Sequence, residues 1–178
     1  NFQGLDYAVK DAQSIQDILI NSLDFAEGNI TILKDEEATK SRIIQEFSNI
    51  TKQAEVNDRV LIFFAGHGET EDLPGGGEIG YLLPVDGDQA DLYVSAIEMN
   101  ELQTISLRSK AKHILYLVDA CYGGISTVGA RGLDAKVTPN YLEKIIKYQS
   151  RQIISAGGRD EQVIEKSEWG HSAFTKNL

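Results

Sequence analysis

The sequence predicts an α/β fold: a mostly parallel sheet flanked by helices on both faces, in three layers. Three observations carry this expectation. Several blocks repeat apolar residues at three- and four-residue steps, the signature of amphipathic helices. Two apolar runs, Arg59-Val60-Leu61-Ile62-Phe63-Phe64-Ala65 and His113-Ile114-Leu115-Tyr116-Leu117-Val118, are continuous rather than alternating, as in strands covered on both faces. Helical and strand-like blocks alternate along the chain, which is the pattern of an open parallel sheet.

The elements follow in order. Leu5, Ala8, Val9, Ala12, Ile15, Ile18, Leu19 and Leu23 make the apolar stripe of a first helix. Residues 29–33 read as a short strand ended by Lys34-Asp35. Residues 39–54 read as a second helix with Ile43, Ile44, Phe47 and Ile50 inward, and Asn57-Asp58 marks a turn. The first buried strand, 59–65, ends at Gly66-His67-Gly68; Gly75-Gly76-Gly77 is a loop and residues 80–84 a short extended piece. Residues 95–105 read as a third helix, with Ser95 as N-cap and Glu98 three residues on as a capping box. The second buried strand, 113–118, leads into Asp119-Ala120-Cys121-Tyr122-Gly123-Gly124. Residues 126–134 are small and polar and read as a loop, 139–148 as a fourth helix, and 152–156 as a further strand.

Bulk properties narrow the function. The 178 residues fit one domain with a single core. A hydrophobic share of 42% and a charged share of 25% are those of an ordinary globular protein. The formal charge of −10 disfavours nucleic-acid binding, which rests on clustered Lys and Arg; it is compatible with a basic peptide substrate, and equally with a charge that only keeps the protein in solution. No apolar run approaches the roughly 20 residues that span a bilayer, so no membrane partner is expected. The one cysteine cannot form an intramolecular disulfide, which suits a reducing cytoplasm, the expected location. Three scattered His and one Cys do not match zinc-ligand spacing, and neither a GxxxxGK[ST] loop nor a GxGxxG turn follows a strand; no metal or cofactor is expected.

In open parallel sheets, sites form beyond the carboxyl ends of the strands. His67 stands just past one buried strand and Cys121 just past the next long one. If those strands are parallel neighbours, about 4.8 Å apart, both side chains emerge at one edge. A thiol beside an imidazole is an activated nucleophile, and the imidazole can protonate the departing amine. Acyl transfer also needs backbone N–H donors for the oxyanion. Gly68 can expose its N–H without a side chain in the way, and the Cys121 N–H is the natural second donor.

These residues carry a family resemblance. Phe64-Ala65-Gly66-His67-Gly68 and Asp119-Ala120-Cys121-Tyr122-Gly123-Gly124 resemble the histidine and cysteine motifs of caspase-like cysteine peptidases, nearer to the bacterial metacaspase type than to true caspases. The histidine precedes the cysteine by about 50 residues, as in that family. Tyr7-Ala8-Val9-Lys10-Asp11-Ala12, Tyr81-Leu82-Leu83-Pro84 and Gly170-His171-Ser172-Ala173-Phe174-Thr175 agree with it, so the resemblance covers essentially the whole chain. It implies a caspase–hemoglobinase-like fold and a cysteine endopeptidase acting through a Cys121–His67 dyad and a thioester acyl-enzyme. It also implies a hydrophobic strand ahead of the first helix, in mid-sheet. Residues 1–178 are therefore expected to form a single peptidase domain without that strand and without the end of the domain, within a protein that carries further modules.

The resemblance places acidic specificity residues at Asp11 and Asp119, with no Arg at the position true caspases use. A carboxylate in a pocket pairs with a guanidinium. The expected partner is thus a protein or peptide substrate with Arg or Lys at P1, the residue before the scissile bond. Ala65 stands where many metacaspases carry a pocket Ser, and Asp86 is a weaker pocket candidate. Arg131, ten residues after Cys121, is a candidate self-cleavage site. His113 reads as structural, His171 as a loop residue near the site, and Trp169 as a candidate wall of the cleft. Some relatives need calcium, and no ligand set for it is assignable here. The rival readings are a catalytically silent scaffold of the same fold and a peptidase of the same clan with another P1 preference.

Overall fold

A computed structural model describes residues 4–120, 148–157 and 164–178. Five helices and eight strands occur among them: α1 (Ala8–Ser22), α2 (Lys40–Gln53), β1 (Arg59–Ala65), β2 (His67–Asp72), β3 (Glu78–Leu83), α3 (Leu92–Ser95), β4 (Ile97–Glu98), α4 (Met99–Arg108), β5 (His113–Asp119), β6 (Ser150–Ser155), β7 (Glu165–Lys166), β8 (His171–Ser172) and α5 (Ala173–Lys176). The main sheet has the order β1–β5–β6 and is parallel throughout.

Period-two alternation divides this sheet into two faces. Val60, Ile62 and Phe64 of β1 and Ile114, Tyr116 and Val118 of β5 share one core with Ile43 and Phe47 of α2 and Leu102 and Ile105 of α4. Helix α1 packs on β1 from the other face and buries a stripe of Asp11, Ile15 and Leu19 at four-residue steps. The expected three-layer arrangement is therefore present. Two polar groups within this core pair locally: the Tyr116 hydroxyl donates to the Leu102 carbonyl at 2.9 Å, and Ser106 Oγ lies 2.9 Å from it. At the opposite end of β5, the Arg151 guanidinium donates to the carbonyls of Ala111 (2.6 Å) and Lys112 (2.8 Å).

Helix α2 keeps its expected bounds to within a residue at each end, capped by Thr39, whose hydroxyl accepts from the Arg42 N–H. Three expectations differ. Residues 29–33 are not a strand: a 3₁₀ turn (Glu27–Asn29) leads into extended backbone at Ile30 that has no ladder partner among the described residues. The reason is geometric. Between that segment, α1 and the outer edge of β1 lies a groove of about 1130 Å³, lined by Ala12, Ile30, Ile32, Leu61 and Phe63 among others, so the segment has no strand to pair with.

The capping box at Ser95 is also not formed. Ser95 ends α3, where its hydroxyl donates to the Asp91 carbonyl at 2.7 Å, and Ile97–Glu98 pairs with β3 as β4 before α4 begins at Met99. Strand pairing at Tyr81↔Glu98 and Leu82↔Ile97 outweighed the local capping pattern. Finally, the chain does not simply leave the sheet at His67. It re-enters a strand there, and β2–β3–β4 form a second, antiparallel sheet that turns through Gly76 and Gly77 at φ of 88° and 92°. His-Gly-Glu-Thr-Glu-Asp carries no apolar alternation, so this strand is silent in hydrophobic patterning. The fourth expected helix and the loop at 126–134 lie outside the described residues, apart from Tyr148.

Candidate active site

Strands β1 and β5 are parallel neighbours in unbroken register from Arg59↔His113 to Ala65↔Asp119. His67 and Cys121 each follow that last matched pair by two positions. The pairing continues for one more bond, since the Gly66 N–H donates to the Asp119 carbonyl at 3.1 Å. The space beside Gly66 is tight. A Cβ on it would lie 2.7 Å from Cζ and 2.8 Å from Cε1 of Phe64. His67 is half-buried and sits opposite Leu83 at the start of β2, with Gly68 opposite Leu82. Cys121 lies outside the described residues, as does Arg131; Ala120, before the cysteine in the chain, is fully buried.

Below this edge the structure joins the two acidic candidates. Asp11 is 1% exposed and Asp119 is 4% exposed. Both oxygens of Asp11 are engaged: Oδ1 with Nδ1 of His171 at 2.6 Å, and Oδ2 with the backbone N–H of Ser172 at 3.1 Å. Asp119 Oδ2 accepts from the Ser172 hydroxyl and from Thr175 Oγ1, the latter at 2.9 Å. Ser172 Oγ also accepts from the Thr175 N–H at 3.0 Å, which leaves its own proton for Asp119. Asp119 Oδ1 is buried with no hydrogen-bond partner among the described residues. Burial raises the Asp119 carboxyl above its ordinary pKa; the Ser172 and Thr175 hydrogen bonds pull it down, and the charge of Asp11 pushes it up.

The other candidates fall as follows. Ala65 faces Asp119 across the ladder. Asp86 Oδ1 accepts from the Lys40 N–H at the start of α2. His113 opens β5 at the end away from this edge. His171 is not a loop residue but part of β8, where it pairs with Lys166 of β7. Trp169 carries the ammonium groups of Lys166 and Lys176 over its ring at 4.7 and 4.8 Å from the centroid. Among the described residues no group of three or more His, Cys, Asp or Glu could hold a metal, and no helix is long and apolar enough to cross a membrane. Ser172 and Thr175 are the site residues that sequence reasoning missed. The available signal was their spacing, Ser followed three residues on by Thr, a helix-start pattern that gives no hint of a carboxylate partner.

A parallel sheet bearing polar groups at its carboxyl edge defines an α/β domain with a candidate site at that edge. The Caspase domain family profile matches residues 1–178, and the chain belongs to that family of cysteine-type peptidases. Metacaspase-1 of Eremothecium gossypii is 30% identical over 131 residues, 65% of this chain and 27% of that protein. Metacaspase-1 of Saccharomyces cerevisiae is 28% identical over 126 residues, 65% of this chain and 29% of that one. Metacaspase-1B of Neurospora crassa is 25% identical over 191 residues, 96% of this chain and 44% of that one. The match thus spans less than half the length of these relatives. A crystal structure of a Geobacter sulfurreducens protein superposes with a TM-score of 0.54 at 20% identity, over 67% of this chain and 43% of that one, a likeness of fold. The resemblance read from the two motifs is borne out.

Proposed function

We propose that the protein is a cysteine endopeptidase that hydrolyses peptide bonds after Arg or Lys. The observation that carries this reading is the β1–β5 register, in which the His67 and Cys121 positions follow one matched pair by equal steps. In this reading the Cys121 thiolate attacks the scissile carbonyl. The Gly68 and Cys121 N–H groups receive the developing oxyanion, and His67 protonates the leaving amine. The resulting thioester is then hydrolysed by water, with His67 taking its proton. Asp119 and Asp11, with Ala65 beside them, form the P1 pocket. A buried carboxylate oxygen lacking a partner is a costly arrangement, and an incoming ammonium or guanidinium N–H would satisfy it.

A strand supplied from elsewhere in the protein would fit the groove beside β1 and cover its open edge, as the resemblance implies. Regulatory modules, self-cleavage after Arg131 and action in the cytoplasm belong to the same proposal. The test is cleavage of fluorogenic peptides with Arg, Lys, Asp or Leu at P1 by the full-length protein. The reading expects Arg and Lys to exceed Asp and Leu by at least about tenfold in kcat/KM, since a charge-assisted bond is worth ~1.5–3 kcal/mol. Preference for Asp would replace it with the other-specificity reading; no cleavage of any peptide would favour the scaffold.

A further inference from the structure

Asp119 can serve a cationic substrate only if its free oxygen is held where a donor can reach it. Burial alone does not achieve this, because a carboxylate can rotate about its last side-chain bond. The structure supplies a brace. Oδ2 of Asp119 is taken up by two hydroxyl donors, from Ser172 and Thr175. Their direction is fixed by the local backbone: Ser172 Oγ receives the Thr175 N–H as the cap of α5, so its proton points to the carboxylate. Ser172 is itself held, with its N–H on Asp11 Oδ2, while Asp11 Oδ1 is held by His171. Ahead of this segment, Gly170 turns at φ +65°, a conformation that favours glycine. Asp11, with both oxygens engaged, has no free oxygen; Asp119 keeps one, buried and without a hydrogen-bond partner among the described residues.

We propose that Ser172 and Thr175 are positioning residues for P1 selectivity. Their hydroxyls occupy one oxygen of Asp119 so that the other is the single acceptor for the cationic P1 group, and Asp11 acts through them by anchoring the 171–172 backbone. This rests on the basic-P1 reading above. With one free oxygen, the pocket offers a single contact rather than the paired contact that favours guanidinium over ammonium, so Arg and Lys are accepted comparably.

Thr175→Val tests the brace most cleanly, because it keeps the shape and the backbone N–H that caps α5 and removes only the hydroxyl. Thr175→Ser restores the hydroxyl. The readout is the ratio of kcat/KM for a P1 Arg peptide to that for the matching P1 Leu peptide, measured in the full-length protein. A ratio within one variant is independent of the fraction folded. The expected result is a fall of about tenfold in Thr175→Val, carried by KM for the Arg peptide, and a ratio in Thr175→Ser within about threefold of wild type. An unchanged ratio in Thr175→Val, or an equal fall in Thr175→Ser, overturns the brace while leaving the basic-P1 reading intact. If Val at 175 abolishes folding, Thr175→Ala is read the same way. A wild-type enzyme with no basic preference overturns the underlying reading instead.

Discussion

Gly66→Ala is expected to destabilise the protein and to impair the site together, for one steric reason. The new Cβ would meet the Phe64 ring at 2.7 and 2.8 Å, well inside normal contact. Phe64 is half-buried and its ring packs against the main core cluster, so moving it aside loses contacts there. Overpacking of this kind costs about 1–3 kcal/mol. Loss of glycine's freedom in the unfolded chain returns roughly 0.4–1 kcal/mol. The net expectation is a loss of about 1–2 kcal/mol, read from urea unfolding at unchanged slope. Because Gly66 lies between the β1–β5 register and His67, a shift to relieve the contact also moves the histidine, and kcat should fall by about tenfold or more. Phe64→Leu in the same chain should recover about 1 kcal/mol of the Gly66→Ala loss, giving a favourable coupling energy. Stability of Gly66→Ala within about 0.5 kcal/mol of wild type, or strict additivity in the double variant, would refute the steric account.

Two further outcomes follow from the buried polar groups. Burial holds the Asp119 carboxyl pKa above its ordinary value, so the folded state retains a proton that the unfolded chain has released. That contribution to stability falls as pH rises from the ordinary carboxylate range through the raised folded value, and is level above it. Asp119→Asn lacks this fall; unfolding midpoints of the two proteins against pH should separate in the variant's favour across that interval, and parallel curves would contradict the sign. Tyr116→Phe removes the donor to the Leu102 carbonyl and the partner of Ser106 Oγ in the core, for an expected loss of about 1–3 kcal/mol in denaturant unfolding; a neutral change would mean that the two groups find other partners.

Much of this was legible because it rests on local pattern. Two continuous apolar runs are strands β1 and β5, and His67 between two glycines and Cys121 two residues ahead of Gly123-Gly124 mark their ends, so the carboxyl edge can be read without coordinates. What escaped depended on contacts distant in sequence. Strand β2 is polar along its length and exists through pairing with β3. Ser95 looks like a cap, but the pairing of Ile97–Glu98 with β3 moves the helix start to Met99. Residues 29–33 have strand composition, yet a strand needs a neighbour, and beside them lies the groove along β1. Asp11 and Asp119 could be singled out by resemblance, but their bridge through Ser172 joins three segments far apart in the chain. His171 was placed near the site, and its partner Asp11 lies 160 residues earlier.

The central claim is that Cys121, assisted by His67, cleaves peptides. Its most direct measurement is the rate of hydrolysis of a P1 Arg fluorogenic peptide by the full-length protein beside Cys121→Ala and His67→Ala. The account predicts robust wild-type cleavage that falls about a thousandfold or more in each variant. Cleavage that persists in Cys121→Ala at the wild-type rate would contradict it.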